Sequence, residues 1–353
     1  MKVEEILSGL FEKLYGEVPG FISELPPSGS ARRYFRMGND RVRIIGAWNQ
    51  DIRENHAFFS YSRHFLSRGI RVPTLYACSQ DEKAYLIEDL GDTLLLHWIQ
   101  QYGKGEVTLG MYRRVVGELL RIQIRGAEGL DFSVGYPRSA FDRQSMAWDM
   151  NYFKYYFLKL AGVPFDEQAL EDDFGAFAEY LLTAESRFFL YRDFQSRNIM
   201  IRNGDPWFID YQGGRRGALQ YDIASLLFEA KAFLPEDFRT EILQHYLRAL
   251  SDFMKVDEAQ FMEYFYAFAL IRTMQAMGAY GLRGLYEKKP LFLESIPPAL
   301  NHMRWLREHA HFPLRIPELQ NVWSRLDEVD PSIGAMISGN EGGTIVRERL
   351  IKK

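Results

Sequence analysis

The chain has 353 residues, of which 47% are hydrophobic and 25% are charged, and its formal net charge is −4. This length favours two lobes, and the composition excludes a disordered or fibrous chain. The small net charge, without a run of five like charges, argues against nucleic acid or an anionic membrane surface as a partner. The single cysteine, Cys78, excludes an intramolecular disulfide and a cysteine-based zinc site, and it favours a reducing compartment such as the cytoplasm.

The first quarter of the chain predicts a small antiparallel sheet with helices. Residues 1–20 have the spacing of an amphipathic helix and not of a signal peptide, and no segment is apolar for long enough to predict a transmembrane span. A second helix is predicted over 52–68, where aromatic side chains recur at helical spacing. Short apolar runs bounded by turn residues predict strands at 21–25, 33–37, 42–48, 74–78 and 84–88.

Helical patterns dominate from Asp92 onward, over 111–124, over 141–160 and over most of 221–310. The predicted organisation is therefore an α+β fold with a lobe at 1–90 and a mainly helical lobe at 91–353. Hairpin strands interrupt the helical part between residues 188 and 210, around a tight turn at 203–205.

Polar side chains cluster at the ends of these hairpin strands. Asp193 precedes Asn198 by five residues, and Asp210 ends the returning strand. Phosphoryl transfer needs a carboxylate to orient and deprotonate the attacking hydroxyl, together with oxygen ligands that hold magnesium against the phosphates. Asp193 is the predicted base, and Asn198 and Asp210 are the predicted magnesium ligands, because Mg²⁺ prefers carboxylate and amide oxygens. The competing interpretation is that all three are solvated polar residues that cap turns.

The motifs resemble those of the aminoglycoside phosphotransferase and choline kinase family, which has the protein-kinase-like fold. The resemblance rests on Tyr-Arg-Asp-Phe-Gln-Ser-Arg-Asn at 191–198, Phe-Ile-Asp-Tyr-Gln-Gly at 208–213 and Tyr-Asp-Ile-Ala-Ser-Leu at 221–226. It implies a small antiparallel N-terminal lobe that binds ATP, a mainly helical C-terminal lobe, and a small-molecule kinase that uses ATP and Mg²⁺. It also implies a structural role for Asp222, which by sequence alone is equally a helix N-cap.

Within this family, the chain resembles most the branch that phosphorylates N-acetylmuramate and N-acetylglucosamine at the anomeric hydroxyl. The run Gly-Ser-Ala-Arg-Arg-Tyr-Phe-Arg at 29–36 and the aromatic helix that begins at Phe141 support this. The implied partner is a small amino sugar. Two other functions stay open: a kinase for an aminoglycoside or a choline-like alcohol, and a catalytically silent nucleotide-binding module.

The third predicted strand departs from the family, because it contains no lysine where these kinases place a phosphate-anchoring lysine. Arg43, its one basic residue, is the candidate replacement, although a planar guanidinium binds phosphate in a different geometry from an ammonium group. Tyr191 stands where the family usually has a histidine.

Two further residue groups carry two interpretations each. Glu54 either pairs with a basic residue of the third strand or completes a capping box with Asp51. Ser28, Gly29 and Ser30 either bind ATP phosphates through backbone N–H groups or form a plain hairpin turn.

Acidic side chains in the helical part are relevant to the identity of the phosphate acceptor. Asp142 and Asp149 are candidates to bind sugar hydroxyls, or else they are helix caps and solvated positions. A cationic acceptor would require these two to converge with Asp172 and Asp173.

Overall fold

A computed structural model describes residues 2–26, 31–311 and 313–328 of the chain. The strands of this part are β1 (Phe21–Glu24), β2 (Arg33–Gly38), β3 (Arg43–Trp48), β4 (Leu75–Cys78), β5 (Ala84–Glu88), β6 (Phe188–Leu190), β7 (Ile199–Arg202), β8 (Asp205–Phe208) and β9 (Arg215–Gly217). The first five lie where the sequence predicts strands. The last, β9, was not predicted, because three residues are too few to show an alternating pattern.

The helices of the described part are α1 (Val3–Tyr15), α2 (Ile52–Ser67), α3 (Leu95–Tyr102), α4 (Glu106–Leu120), α5 (Arg143–Phe153), α6 (Lys159–Ala161), α7 (Glu167–Leu182), α8 (Gln220–Leu227), α9 (Glu236–Leu250), α10 (Glu258–Tyr280), α11 (Pro290–Leu293), α12 (Ile296–His309) and α13 (Pro317–Arg325). The predictions of α1 and α2 are confirmed, and so is the mainly helical course after residue 92. Within the described chain, no helix is long and apolar enough to span a lipid bilayer.

The N-terminal sheet has the strand order β1-β2-β3-β5-β4, and all its pairings are antiparallel. Side chains alternate between its two faces, as the strand geometry requires. The register places Tyr34 opposite Ala47, and Ala47 opposite Tyr85. These three residues therefore share one face of the sheet, which we call the inner face.

The opposite, outer face is apolar and packs against α1. Leu7 and Phe11 of the helix are completely buried there, together with side chains that include Phe35, Met37 and Leu86. Gly46 lies under the helix, because a Cβ atom at this position would come within 3.0 Å of the Leu7 methyl groups. The missing side chain thus lets α1 approach β3 closely.

The chain divides into two compact units. The first comprises Met1–Phe141, Ser186–Asp222 and Glu236–Val256, and the second comprises Asp142–Glu185, Ile223–Pro235 and Asp257–Lys353. The N-terminal sheet and the hairpin that carries Asp193 therefore belong to the same unit. The functional division into lobes at 1–90 and 91–353 stays a prediction.

The second unit is built on α10, whose buried side chains lie on all sides of the helix. Two π-helical segments, Lys154–Leu158 and Gly281–Tyr286, meet at Gly281, where an added Cβ atom would lie 1.9 Å from the carbonyl oxygen of Tyr156. The buried carboxylate of Asp173 accepts a hydrogen bond from the backbone N–H of Leu319 at 2.8 Å and so fixes the start of α13.

We expect Leu7→Ala to lower the free energy of unfolding by about 2–5 kcal/mol, because it opens a cavity between α1 and the sheet. The matched control is Leu14→Ala on the same helix, since Leu14 is 40% exposed and Leu7 is 0% exposed. The control should change the free energy of unfolding by no more than about 0.5 kcal/mol. Urea unfolding followed by circular dichroism measures both, and equal losses would contradict the packing of Leu7.

Candidate active site

The hairpin β7–β8 joins the segment that follows β6 to the segment that precedes β9. The first segment carries Asp193 and Asn198, and the second carries Asp210. Arg202 pairs with Asp205 across a two-residue loop, and both loop residues have positive φ, at 53° for Asn203 and 79° for Gly204. A two-residue loop with this backbone twist matches the twist of the strands, and Asn-Gly is its preferred sequence. The predicted turn is confirmed. The strands β6 and β9 pair separately, from Phe188 opposite Gly217 to Leu190 opposite Arg215.

Asp222 holds the segment that precedes the predicted base. Its carboxylate accepts hydrogen bonds from the backbone N–H groups of Tyr191 at 2.8 Å and Arg192 at 3.0 Å, and from the Gln123 amide at 3.2 Å. Asp222 lies inside α8 and is not its N-cap, so the N-cap interpretation is wrong. Burial raises the pKa of Asp222 to about 7, and the three hydrogen bonds oppose this shift.

Arg192, next to the predicted base, has an unusual backbone conformation. Its φ is 84°, in the left-handed region that residues other than glycine rarely occupy. Its guanidinium donates to the Tyr221 hydroxyl at 2.7 Å and lies over the rings of Phe141 and Tyr221. These contacts, together with Asp222, fix a strained backbone directly before Asp193.

Asp210 is held from both sides of the hairpin. The Tyr191 hydroxyl donates to the Ile209 carbonyl at 2.5 Å, and the Ile209 N–H donates to the Asn198 carbonyl at 3.1 Å. Asp210 itself has a φ of 70°. Tyr191 thus ties the Asp193 segment to the Asp210 segment.

Asn198 brings the predicted site residues together. Its side-chain amide donates to the backbone carbonyl of Asp193 at 2.9 Å and to Oδ2 of Asp210 at 3.3 Å. Solvent reaches the side chain of Asp210, but the surrounding protein desolvates its carboxylate and raises its pKa, and the nearby Asp193 carboxylate raises it further. Two neighbouring carboxylates that repel each other form a local excess of negative charge, which attracts a cation.

The oxygen ligands that Asp210 and Asn198 offer fit magnesium rather than a transition metal. No three His, Cys, Asp or Glu side chains group around a common point within the described residues. A cation at Asp210 would have Asn198 as its other protein ligand, and water and phosphate oxygens would complete the octahedron that Mg²⁺ prefers. Gln212, which donates to Oδ1 of Asp210 at 2.8 Å, has a buried oxygen that accepts no hydrogen bond from the described chain. Water bound to a cation would supply that missing donor.

Glu54 joins the site from α2. One of its oxygens lies 3.1 Å from the guanidinium of Arg32 and accepts from Gln212 at 3.2 Å, and the other accepts from Asn49 at 2.7 Å. Asp51 is the N-cap of α2, but its backbone N–H bonds to Asn49, so the capping box with Glu54 does not form. Glu54 therefore points inward, as one of the two interpretations predicted.

The prediction that Glu54 pairs with a basic residue of the third strand is wrong. The side chain of Arg43 is 63% exposed and lies 3.7 Å from Asp89, at the far end of β3. The inner-face position of β3 beside Tyr34 is Ala47, which carries no charge. Arg32, immediately before β2, takes the place next to Glu54, and its side chain is only 2% exposed.

The helix α2 packs directly on the segment that carries Asp210. Ser62 hydrogen-bonds the Tyr211 hydroxyl at 2.6 Å, and the Phe58 ring stacks on Tyr211 at a centroid distance of 5.3 Å. The Tyr61 hydroxyl donates to the Gly214 carbonyl at 3.0 Å. The position of Glu54 is therefore coupled to that of Asp210 through the packing of α2.

The other predicted residues lie elsewhere or beyond the described chain. Ser28, Gly29 and Ser30 lie outside the described residues. In the second unit, Asp142 is the N-cap of α5 and accepts from the Ser145 N–H at 3.0 Å. Asp149 is buried on the same helix, and exposed Asp172 accepts from Gln168 at 2.9 Å.

The sequence interpretation gave no role to Arg32 or Gln212, although both stand inside the motifs that carry the family resemblance. The alternation of Arg32 with Tyr34 and Arg36 is the signal that places all three on one face of the strand. Nothing local marks Gln212, because its contact with Glu54 joins residues that are 158 positions apart.

We expect the stability difference between the wild-type protein and Asp222→Asn to depend on pH. The folded-state pKa of Asp222 is raised to about 7 from an ordinary value of 3.8, so unfolding releases its proton between these values and the wild type loses stability as pH rises. The asparagine variant lacks this loss. Its deficit should therefore shrink by about 2–3 kcal/mol between pH 5 and pH 8.

Urea unfolding at both pH values measures this change. The control is Asp172→Asn, which removes an exposed carboxylate on α7 and should show the same difference from wild type at pH 5 and pH 8. A deficit of Asp222→Asn that does not change with pH would contradict a buried carboxylate with a raised pKa.

Comparisons with known proteins agree with this geometry. The family model described as "Phosphotransferase enzyme family" matches residues 22–264. An N-acetylmuramate/N-acetylglucosamine kinase from Neisseria meningitidis is 25% identical over 241 residues, which are 67% of this chain and 70% of that protein. The chain is also similar in structure to choline kinase from Cryptosporidium parvum, with a TM-score of 0.59, 13% identity, and coverage of 90% of this chain and 98% of that one.

The ternary complex of APH(2″)-IIa with streptomycin and ATP has a TM-score of 0.55 at 12% identity, and the match covers 84% of this chain and 95% of that one. These structural likenesses confirm the predicted α+β, protein-kinase-like fold. Because the family model spans most of the 353 residues, the predicted enzyme class is also confirmed: the chain belongs to the phosphotransferase enzyme family.

Proposed function

We propose that this enzyme transfers the γ-phosphoryl group of ATP to a hydroxyl group of an amino sugar. The observation that carries the proposal is the contact of one side chain, Asn198, with both Asp193 and Asp210. A base and a metal ligand that share a hydrogen-bonded bridge are the two groups that phosphoryl transfer requires at one place.

Asp193 is the base in this proposal. Its side chain is half-buried, and Asp222 fixes the backbone immediately before it. Asp193 therefore has a defined position relative to Asp210. It accepts the proton of the acceptor hydroxyl while that oxygen forms its bond to the γ-phosphorus, and the bond from this phosphorus to the β-phosphate oxygen breaks. The products are a phosphorylated acceptor and ADP.

Asp210 and Asn198 are the protein ligands of Mg²⁺ in this proposal. Gln212 orients the Asp210 carboxylate, and Asn198 accepts no hydrogen bond on its amide oxygen within the described residues, so this oxygen can face a cation. When bound, Mg²⁺ neutralises the negative charge of the transferring phosphate groups.

Two observations support an amino sugar as the acceptor. The relative from Neisseria meningitidis is named for N-acetylmuramate and N-acetylglucosamine. In addition, carboxylates that a cationic acceptor would require already have partners in the second unit: Asp142 caps α5, Asp173 fixes α13, and Asp172 accepts a hydrogen bond from Gln168. An aminoglycoside or choline acceptor has no comparable support, and the intact Asp193, Asn198 and Asp210 argue against a silent module.

The acceptor is tested with γ-labelled ATP, Mg²⁺ and a panel of N-acetylmuramate, N-acetylglucosamine, an aminoglycoside and choline. We expect a labelled amino sugar, and we expect Asp193→Ala to lower kcat by at least about 100-fold, as loss of a general base does. The control is Asp205→Ala, which removes a partly exposed carboxylate of β8. Labelling of the aminoglycoside or of choline alone would contradict the amino sugar, and full activity of Asp193→Ala would contradict the base.

We expect Asp210→Asn to abolish detectable turnover and to raise the Mg²⁺ concentration needed for half-maximal binding of ATP, because the variant loses one negative ligand charge. Circular dichroism should show an intact fold, since asparagine preserves the shape of the side chain. A magnesium titration of ATP binding, in parallel with Asp205→Asn, separates this effect from a general change of charge. A half-saturation point equal to that of the wild type would contradict Asp210 as a metal ligand.

A further inference from the structure

The inner face of the N-terminal sheet carries a buried positive charge that the phosphotransferase chemistry above does not yet use. Arg32 belongs to the alternating set with Tyr34 and Arg36, and its guanidinium lies 3.3 Å from the Tyr34 hydroxyl. A charged side chain that is only 2% exposed is expensive to bury unless opposite charges and hydrogen bonds compensate it. Glu54 supplies one such charge.

A continuous chain of contacts leads from this guanidinium to the predicted metal ligand. Arg32 contacts Glu54 at 3.1 Å, the same oxygen of Glu54 accepts from Gln212 at 3.2 Å, and Gln212 donates to Asp210 at 2.8 Å. The cation and the metal-binding carboxylate therefore lie on one side of the sheet, two side chains apart. In addition, the field of Arg32 acts directly on Asp210, where it opposes the rise of the pKa.

A bound metal ion would change the balance of charges around Arg32 in favour of an anion. The carboxylates that face this region are Glu54, Asp210 and Asp193, and the cations that act on Asp210 are Arg32 and Arg197. When Asp210 is occupied by Mg²⁺, its negative charge is compensated by the metal, and the guanidinium of Arg32 becomes available to phosphate oxygens next to the metal. A guanidinium presents several N–H donors in one plane, so it can keep its ion pair with Glu54 and still donate to a phosphate.

The neighbouring strand cannot supply this charge. The inner-face residues of β3 are Arg43, Ile45 and Ala47, and Arg43 lies at the exposed end beside Asp89. Ala47, which is completely buried opposite Tyr34, has no functional group. Tyr34 and Tyr85, which lie on either side of Ala47 in the sheet, both act on the buried guanidinium of Arg32.

We propose that Arg32 binds the phosphate groups of ATP and that it does so from the start of β2, in place of a lysine on β3. Glu54 and Gln212 are positioning residues in this arrangement, because they hold the guanidinium in register with Asp210. The inference rests on the proposed use of ATP. It assigns to the Arg32–Glu54 pair the task that a lysine–glutamate pair performs in protein kinases.

The test measures binding and not turnover. The full-length wild type and Arg32→Met are titrated with ATP, ADP and adenosine in the presence of Mg²⁺ by isothermal titration calorimetry. We expect Arg32→Met to weaken ATP and ADP binding by about 10- to 100-fold, the range for loss of a hydrogen bond to a charged group. Adenosine binding should change by less than about twofold, because the guanidinium contacts phosphate alone.

The matched control is Arg33→Met, which removes the same functional group one residue later. Arg33 points away from Arg32, is 37% exposed at its side chain and pairs with Glu24 at 2.7 Å. Its ratio of ATP to adenosine affinity should equal that of the wild type. Arg32→Lys should bind ATP with an affinity between those of the wild type and Arg32→Met, because it keeps the charge but loses the planar set of donors.

The outcomes separate this inference from the function on which it rests. If the wild type fails to bind ATP, the proposed function itself fails. If the wild type binds ATP and Arg32→Met binds ATP, ADP and adenosine each as tightly as the wild type, or loses all three equally, Arg32 has no phosphate-specific role. A selective loss of ATP binding in Arg43→Met but not in Arg32→Met would also overturn the inference.

If Arg32→Met does not fold, Arg32→Gln replaces it, since glutamine keeps N–H donors for Glu54 without the charge.

Discussion

The buried carboxylate of Asp222 accepts the backbone N–H groups of Tyr191 and Arg192, and the geometry of the catalytic segment depends on these two bonds. Without an acceptor at this position, two buried backbone donors would be unsatisfied, and the left-handed conformation of Arg192 would lose its main support. The carboxylate is itself costly to bury, as its raised pKa shows. The fold thus buries a costly carboxyl group that holds the residue before Asp193 in a conformation that an unconstrained chain rarely adopts.

A series of hydrogen bonds connects this segment to the rest of the site. Tyr191 holds the carbonyl of Ile209, Asn198 bridges Asp193 and Asp210, and Gln212 connects Asp210 to Glu54. The helix α2, which carries Glu54, packs on Tyr211 through Phe58 and Ser62. Any displacement of α2 therefore moves both the carboxylate that pairs with Arg32 and the segment that carries Asp210. The groups proposed to bind nucleotide and metal are therefore coupled through packing rather than through a flexible linker.

In the proposed arrangement, an arginine before one strand supplies the positive charge that a lysine on the neighbouring strand supplies in protein kinases. Arg32 and Ala47 are 15 positions apart in sequence, but the antiparallel register places their side chains on the same face. The guanidinium offers a planar set of donors, whereas an ammonium group is a compact point charge, so the two would bind phosphate in different geometries. Pattern comparison along one strand misses such an exchange, since the compensation crosses the sheet.

The α+β order of elements could be predicted from the sequence, because alternation and helical spacing are local properties. The sequence also identified Asp193, Asn198 and Asp210 as one group, because a short hairpin joins them. It also determined the Asn203-Gly204 turn, since few residue pairs accept positive φ twice in succession. The folded structure was needed to show that Glu54 pairs with Arg32 and not with Arg43, that Asp222 lies inside a helix and holds Tyr191, and that Gln212 connects α2 to Asp210. These contacts join residues far apart in the chain, and the side chain that fills each place is chosen by sheet register and helix packing, which no local pattern records.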